Sequence, residues 1–361
     1  MSMYSIYLPR YTIGIDAYRN FHTILRQAGT SCAVYYGKKA WDAAGQKILS
    51  ALSNAGIAVA AQGVYGHEAS IENAERILQD PKINDVSFLL AVGGGKCTDT
   101  VKYAGWKLHK PVYSCPTIAS NCAPVTKIAI MYHPDGSFRE IAQLAEPPVH
   151  CFIDTEILAK APLKYVWAGM GDTMAKHVES IFSARGDTLT YPSRLGIKIG
   201  ELCFYDILDC GRQAYRDAEK HTVSAAFEEA VQNIIISTGA VSVSVSKDYN
   251  SALAHALYYG LTNRKEVDEH HLHGEIVSYG TLVQLMMDHQ EDLLQKAYIF
   301  NKDLGLPIKL SQLGLDIHED LHDVLQAAQN NQELIHVPYP VTSERIYEAM
   351  KELEEYTGGD Q

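Results

Sequence analysis

Residues 91–105 read AVGGGKCTDTVKYAG. The run Val86–Val92 (VSFLLAV) that leads into this stretch is continuously apolar and lies between Asp85 and Gly93. Such a run predicts a strand covered on both faces. Beyond the three glycines the apolar spacing turns helical over Thr98–Leu108. A strand, a glycine turn and a helix in that order bring backbone N–H groups close to an anion, at the end of the helix whose dipole favours negative charge. The turn is not a Walker A loop, because position 90 is Leu and Cys97 follows Lys96. It is not GxGxxG either, because position 98 is Thr. Taken alone, it reads equally as a tight strand–helix turn or as a phosphate loop.

Outward from this unit the same alternation continues. Strands are predicted at Ser31–Tyr36, Ile57–Ala61, Pro111–Pro116, Ile128–Tyr132 and His150–Ile153, and helices at Ala40–Ala55 and Ser70–Gln79. A turn is predicted at His133-Pro134-Asp135-Gly136. The pattern implies a parallel sheet with helices on both faces. After Asp154 only helical spacing remains, over Lys164–Ala184, Ser193–Asp217, Thr222–Ser246, Glu275–Leu304 and Ser343–Tyr356, the last capped by Ser343. The expected organisation is an α/β domain over residues 1–160 and a helical domain over 161–361, with Pro162 at the seam.

The 361 residues carry a net charge of -12, so nucleic-acid and anionic membrane partners are not expected. The most apolar stretch, Ile234–Val245, is interrupted by Ser and Thr, and the N-terminus lacks a secretory pattern. Seven scattered cysteines without CxxC predict free thiols and a cytoplasmic setting.

The string GGGKxxDTxK (from Gly93), followed by PTIASxxAP (from Pro116), resembles the glycerol-dehydrogenase-like branch of the iron-containing alcohol dehydrogenases. Gly66–Ser70 (GHEAS) loosely matches that family's Gly-Glu-Cys-Ser turn. The resemblance implies a Rossmann-like parallel-sheet domain and a helical metal-binding domain, the dehydroquinate-synthase-like fold. It implies that Gly93, Gly94, Gly95 and Lys96 bind the cofactor pyrophosphate. Asp99 and Lys102 would support the loop, and Thr117 and Ser120 would line the cofactor groove, together with Thr126, Ile128 and Tyr132.

Three further boxes match the family: GxGDxxAK at Asp172, AHAxxxGLT at His255 and HGExVxxG at His273, the two histidines eighteen positions apart. Spacing alone does not select a ligand set from fifteen histidines; the resemblance does. One carboxylate and two imidazoles suit Zn²⁺ or Fe²⁺ and leave a coordination position open for chemistry. The implied reaction is oxidation of an alcohol, or reduction of a ketone, by a nicotinamide cofactor across an interdomain cleft. His270 and His271 read as a polar loop lip.

Two positions depart from the glycerol enzymes. They carry ASTDAP, where this chain has ASNCAP, so Cys122 stands in place of an aspartate near the polyol. A thiol neither accepts diol hydrogen bonds well nor repels an anionic substrate. At the end of the first strand, NAD-using relatives have an acid where this chain has Gly37, followed by Lys38 and Lys39. Losing that acid favours NADP(H), with NAD(H) as the alternative. Both departures resemble bacterial hydroxycarboxylate dehydrogenases, which reduce small 2-oxo acids. Tyr132, placed to bond the substrate oxygen, and Cys122 are therefore the candidate catalytic residues. The competing readings are a glycerol or dihydroxyacetone dehydrogenase, a glycerol-1-phosphate dehydrogenase, a dehydroquinate-synthase-like lyase and a binding protein that kept the fold. Relatives form dimers to octamers, so a homo-oligomer is expected.

Overall fold

The computed structural model describes residues 5–359. Among these residues eight strands are formed: β1 (Tyr11–Gly14), β2 (Ser31–Tyr36), β3 (Ala58–Val64), β4 (Phe88–Gly93), β5 (Val112–Pro116), β6 (Ile128–Tyr132), β7 (Phe138–Gln143) and β8 (His150–Asp154). Six of them make a parallel sheet in the order β1-β8-β5-β4-β2-β3, and β6 with β7 makes a separate antiparallel hairpin. The hairpin turns at His133–Gly136, as predicted, with Gly136 at φ +90° and its N–H donating to His133 O at 2.9 Å.

Period-two alternation divides the sheet into two cores. Cys32, Val34, Phe88, Leu90, Val92 and Phe152 face one side, against Phe21, Leu25, Ile48 and Leu52 of the helices Phe21–Ala28 and Lys38–Asn54. Ala33, Tyr35, Leu89 and Ala91 face the other, against Ala74, Ile77, Val101 and Ala104 of the helices Ile71–Leu78 and Gly95–Leu108. Removing a side chain such as Phe88 or Phe152 from water contributes about 1.5–3 kcal/mol. Ala129 and Met131 of β6 point into the second core, while Ile128, Ile130 and Tyr132 stay half-buried, as the alternation predicts.

The order of the sheet matters for function. The chain leaves β2 to one side for β3, then crosses back to β4 on the other side. In open α/β sheets that reversal marks the place where ligands bind, outside the carboxyl ends of the strands. The register puts Tyr36 opposite Val92 and Gly93 opposite Pro116, so Gly37, the glycine turn and Thr117 all follow directly from the ends of neighbouring strands.

The chain forms two compact units: Met1–Leu163 with Asp217–Glu228, and Lys164–Arg216 with Glu229–Gln361. The segment 217–228 packs with the first unit through His221 Nδ1 on Ala159 O at 2.9 Å and Thr155 Oγ1 on Glu228 Oε1 at 3.1 Å. No helix among the described residues is long and apolar enough to cross a membrane, and none of the seven cysteines forms a disulfide.

Three helix predictions need correction. The stretch expected as one helix over Glu275–Leu304 is two, His273–Met287 and Glu291–Leu304. They part at Asp288-His289-Gln290, where His289 takes a left-handed φ of 53° and Asp288 is bound by Arg185 and by Tyr339 Oη at 2.7 Å. The stretch Thr222–Ser246 contains a π-helical turn, Asn233–Ser237, between Ala225–Gln232 and Thr238–Ser244. The C-terminal helix is capped by Thr342, not Ser343: Thr342 Oγ1 accepts from Arg345 N at 3.3 Å, while Ser343 N is taken by Gln329.

Candidate active site

In the second unit, Asp172 lies in the helix Lys164–Ser183, His255 in Leu253–Leu261 and His273 at the start of His273–Met287. One ligand atom from each lies within 4.8 Å of the others. His255 Nε2 is 3.5 Å and His273 Nε2 3.4 Å from Asp172 Oδ1. Metal–ligand bonds near 2.1 Å in tetrahedral geometry give ligand–ligand edges of about 3.4 Å. The donor set therefore fits a single divalent ion in type, and its two Asp172–His edges fit one in spacing.

Glycines set this convergence. A Cβ at Gly171 would lie 2.7 Å from Gly274 O, and one at Gly274 would lie 2.0 Å from Ala168 O. A Cβ at Gly280 would meet Ala254 O at 2.6 Å. Each ligand thus sits beside a helix crossing whose close approach a side chain would block.

Glu179, fully buried and seven residues after Asp172 on the same helix, was not singled out from sequence. Its Oε2 is 2.7 Å from His255 Nδ1, and its Oε1 accepts from Ala252 N at 2.7 Å and His255 N at 2.9 Å. Gln284 Oε1 accepts from Ala254 N at 3.2 Å. Two neighbouring helices thereby satisfy the opening N–H groups of the His255 helix, whose own Ala252 offers no cap. The carboxylate also keeps the proton on Nδ1 and leaves Nε2 facing Asp172. The only signal in the sequence was the seven-residue helical spacing. Lys176, one turn after Asp172, donates to Asn250 O at 2.8 Å and steadies the segment that leads to His255.

The electrostatics point to a cation. Burial alone would raise the Asp172 pKa, but bonds to His255 and His273 hold it well below the usual carboxylate range. Burial would lower that of His255, yet the charges of Glu179 and Asp172 raise it to about 10. Without a metal, a proton on His255 supplies positive charge that the carboxylates demand. Tyr258 packs its ring against His273, with centroids 4.3 Å apart. Glu275 Oε2 accepts from Leu272 N at 3.0 Å, and its Oε1 lies 2.9 Å from His271 Nδ1, so His271 is tied to the helix start.

In the first unit, Gly93 has φ +154°, and Gly94 caps the helix that begins at Gly95. A Cβ at Gly94 would meet Ile118 Cδ1 at 2.7 Å, and one at Gly95 Asn121 Nδ2 at 2.9 Å. The bare backbone leaves the first-turn N–H groups directed outward from the carboxyl edge of the sheet. Asp99 and Lys102 form a buried ion pair at 2.7 Å. Asp99 Oδ2 also accepts from Ile130 N at 3.1 Å. Lys102 Nζ donates to Ala123 O at 2.9 Å, Thr126 O at 3.2 Å and Ile128 O. The pair thus ties the glycine-loop helix to the segment that carries Cys122, Thr126 and Ile128.

Thr117 and Thr126 are buried; Ser120, Cys122, Ile128 and Tyr132 are half-buried. Lys96 is exposed and stands 5.5 Å from the Tyr132 ring centroid. Gly37 caps the helix Lys38–Asn54, with Lys38 and Lys39 exposed in its first turn and Tyr36 stacked on Trp41 at 4.1 Å. All the cofactor candidates lie in the first unit and all the metal candidates in the second.

Residues 12–162 match the model of the iron-containing alcohol dehydrogenase family. A glycerol dehydrogenase of Thermotoga maritima is 35% identical over 301 residues, 81% of each chain. Hydroxycarboxylate dehydrogenase A of Escherichia coli is 29% identical over 345 residues, 94% of each chain. The crystal structure of glycerol dehydrogenase from Schizosaccharomyces pombe shares the fold at a TM-score of 0.86, with 26% identity, over 98% of this chain and 91% of that one.

Proposed function

The chain belongs to the iron-containing alcohol dehydrogenase family, as an oxidoreductase acting on CH–OH groups, and on that premise we propose that it interconverts a small hydroxy compound and its ketone, with zinc or ferrous iron at Asp172, His255 and His273 and a dinucleotide at the glycine loop. The observation that carries this reading is the meeting of those three ligand atoms within 4.8 Å. When bound, the metal would draw electron density from the substrate oxygen, and the nicotinamide would exchange hydride with the adjacent carbon.

The chain's own residues do the rest. Asp172 supplies the formal negative charge of the ligand set, and Glu179 fixes the orientation and tautomer of His255. Backbone N–H groups at Gly94–Lys96 offer hydrogen bonds to the pyrophosphate. Tyr132, half-buried at the end of β6, is the residue proposed to bond the substrate oxygen. Gly37 removes the acid that would repel a 2′-phosphate, and Lys38 and Lys39 favour it, so NADPH is the proposed cofactor. Asp172→Asn or His273→Ala is expected to abolish turnover; undiminished activity in either would exclude the metal reading.

The finer proposal is that the ketone is a 2-oxo acid such as 2-oxobutyrate. Cys122 supports it, because it places a neutral group where the glycerol enzymes that the chain resembles carry an aspartate. A second reading, glycerol and dihydroxyacetone, is supported by the likeness to the Thermotoga maritima enzyme. NADPH consumption by zinc-loaded protein, followed with 2-oxobutyrate and dihydroxyacetone in parallel, separates them. Faster turnover of the oxo acid supports the first; faster turnover of dihydroxyacetone establishes the second and leaves Cys122 as a packing residue.

A further inference from the structure

Lys96, in the first turn of the helix Gly95–Leu108, is not free to meet an arriving anion. Its Nζ lies 2.6 Å from Glu68 Oε2 in the GHEAS turn, and the Glu68 side chain is only 11% exposed. That turn is firmly built. Glu68 Oε1 accepts from Ala69 N at 3.0 Å, Ser70 caps the helix Ile71–Leu78 through Asn73 N, and Asn73 Nδ2 donates to Glu68 O at 2.6 Å. Tyr132 N donates to Ala69 O at 2.8 Å, which fixes the turn to the end of β6. Gly66, at φ +126°, leaves the space that Asn73 fills, since a Cβ there would meet Asn73 Cγ at 2.4 Å.

A lysine at a helix N-terminus runs against the helix dipole; the first turn of this helix has no acidic residue, and Asp99 further along is paired with Lys102. The half-exposed ammonium is steadied from outside, by the Glu68 carboxylate and by the face of Tyr132 at 5.5 Å. We propose that Glu68 is an internal counter-ion, a carboxylate that occupies Lys96 until a diphosphate displaces it and so sets how tightly the glycine loop binds its dinucleotide. This inference rests on the reading of that loop as the dinucleotide site. The exchange breaks no covalent bond. The ammonium leaves the carboxylate for a phosphate oxygen, and the carboxylate keeps its bond from Ala69 N.

The consequence runs opposite to an ordinary supporting role. Removing the Glu68 charge makes binding tighter, because Lys96 no longer has an alternative anion. The test is fluorescence titration of NADPH and NADH into full-length, metal-free protein, so that turnover plays no part. Glu68→Gln keeps an acceptor for Ala69 N and is expected to tighten binding about two- to fivefold, the range of a partly exposed ion pair. Lys96→Met is expected to weaken binding and to abolish the effect of Glu68→Gln when the two are combined. Glu68→Asp, which draws the carboxylate back by one methylene, is a second variant with the same expected direction. An unchanged or weaker affinity in whichever Glu68 variant folds overturns the counter-ion proposal while leaving the loop assignment standing. Failure of the wild-type protein to bind either dinucleotide overturns the loop assignment, and the counter-ion proposal with it.

Discussion

Glu179 Oε2 lies 2.7 Å from His255 Nδ1, and the same carboxylate holds the backbone N–H of His255. Ring and helix start are thus positioned by one buried group. Glu179→Gln keeps an acceptor for the backbone but offers Nδ1–H an amide nitrogen or a weaker oxygen. Zinc affinity, measured by competition with a chromogenic chelator, is expected to fall about 10–100-fold. The thermal transition of the metal-free protein should remain cooperative. Unchanged zinc affinity would mean that Glu179 serves only to cap the helix.

Gly274 lets the Asp172 and His273 helices approach to a distance that no Cβ tolerates, with Ala168 O only 2.0 Å from the added atom. Gly274→Ala is therefore expected to cost about 3 kcal/mol, at the upper end for overpacking. Urea unfolding of the metal-free protein reads that loss, and the zinc stoichiometry of the folded fraction reads the displaced ligands. A midpoint equal to that of the wild type would contradict the close crossing.

Lys102 is buried with Asp99 and three backbone carbonyls. Lys102→Met leaves Asp99 as an unpaired buried charge and is expected to destabilise the protein by about 3–5 kcal/mol. Because the carbonyls belong to residues 123–128, amide hydrogen exchange should rise there more than in β2, which none of these bonds reaches. Uniform exchange across the first unit would argue against a local tie.

Cofactor choice is predicted to depend on Gly37. Gly37→Asp places a carboxylate at the end of β2, where Lys38 and Lys39 now stand alone. The ratio of kcat/KM with NADPH to that with NADH is expected to fall about tenfold or more, an effect of about 1.4 kcal/mol. Equal efficiency with both cofactors in the wild-type enzyme would already contradict the preference.

His150, in β8, bonds Thr12 Oγ1 at 2.9 Å through Nε2. Burial, and then the charge of Arg10, push its pKa down to about 4 from an ordinary value of 6.5. The unfolded chain therefore takes up a proton that the folded one refuses. The stability tied to the neutral imidazole is complete above about pH 6.5 and is lost as the pH falls toward 4. His150→Gln keeps a polar partner for Thr12 and removes the titration. Between pH 7 and 4.5, wild-type stability in urea should fall further than that of the variant; parallel losses would show that His150 titrates normally.

The legible part of the fold was its local part. β2 and β6 fall on the residues predicted for them: β2 buries four consecutive residues and β6 alternates buried with half-buried ones, and each pattern is a signal within one segment. β1, only YTIG, and β7, FREIAQ with one buried residue, carry too little apolar pattern to announce themselves and become strands by pairing with β8 and β6. The break at His289 was hidden because no Gly or Pro marks it: Asp288-His289-Gln290 is a polar triplet with a non-glycine residue at the left-handed φ.

The candidate site divides in the same way. Asp172, His255 and His273 were legible as members of three boxes, and the glycine turn as a strand–helix junction. Glu179, Gln284 and the Glu68–Lys96 pair were not, since each acts across 28 to 76 residues of chain.

By itself, the sequence determined the alternation of strands and helices, the helical remainder and the residue types available as ligands. These depend on periodicity and chemistry within a few turns of chain. Only the tertiary structure decided that three ligand atoms converge, that a buried carboxylate holds one of them, and that the loop lysine is already paired. Those depend on how closely helices cross at Gly171, Gly274 and Gly280 and on which turn packs beside which strand end, and distances of that kind are set by packing between segments far apart in the chain.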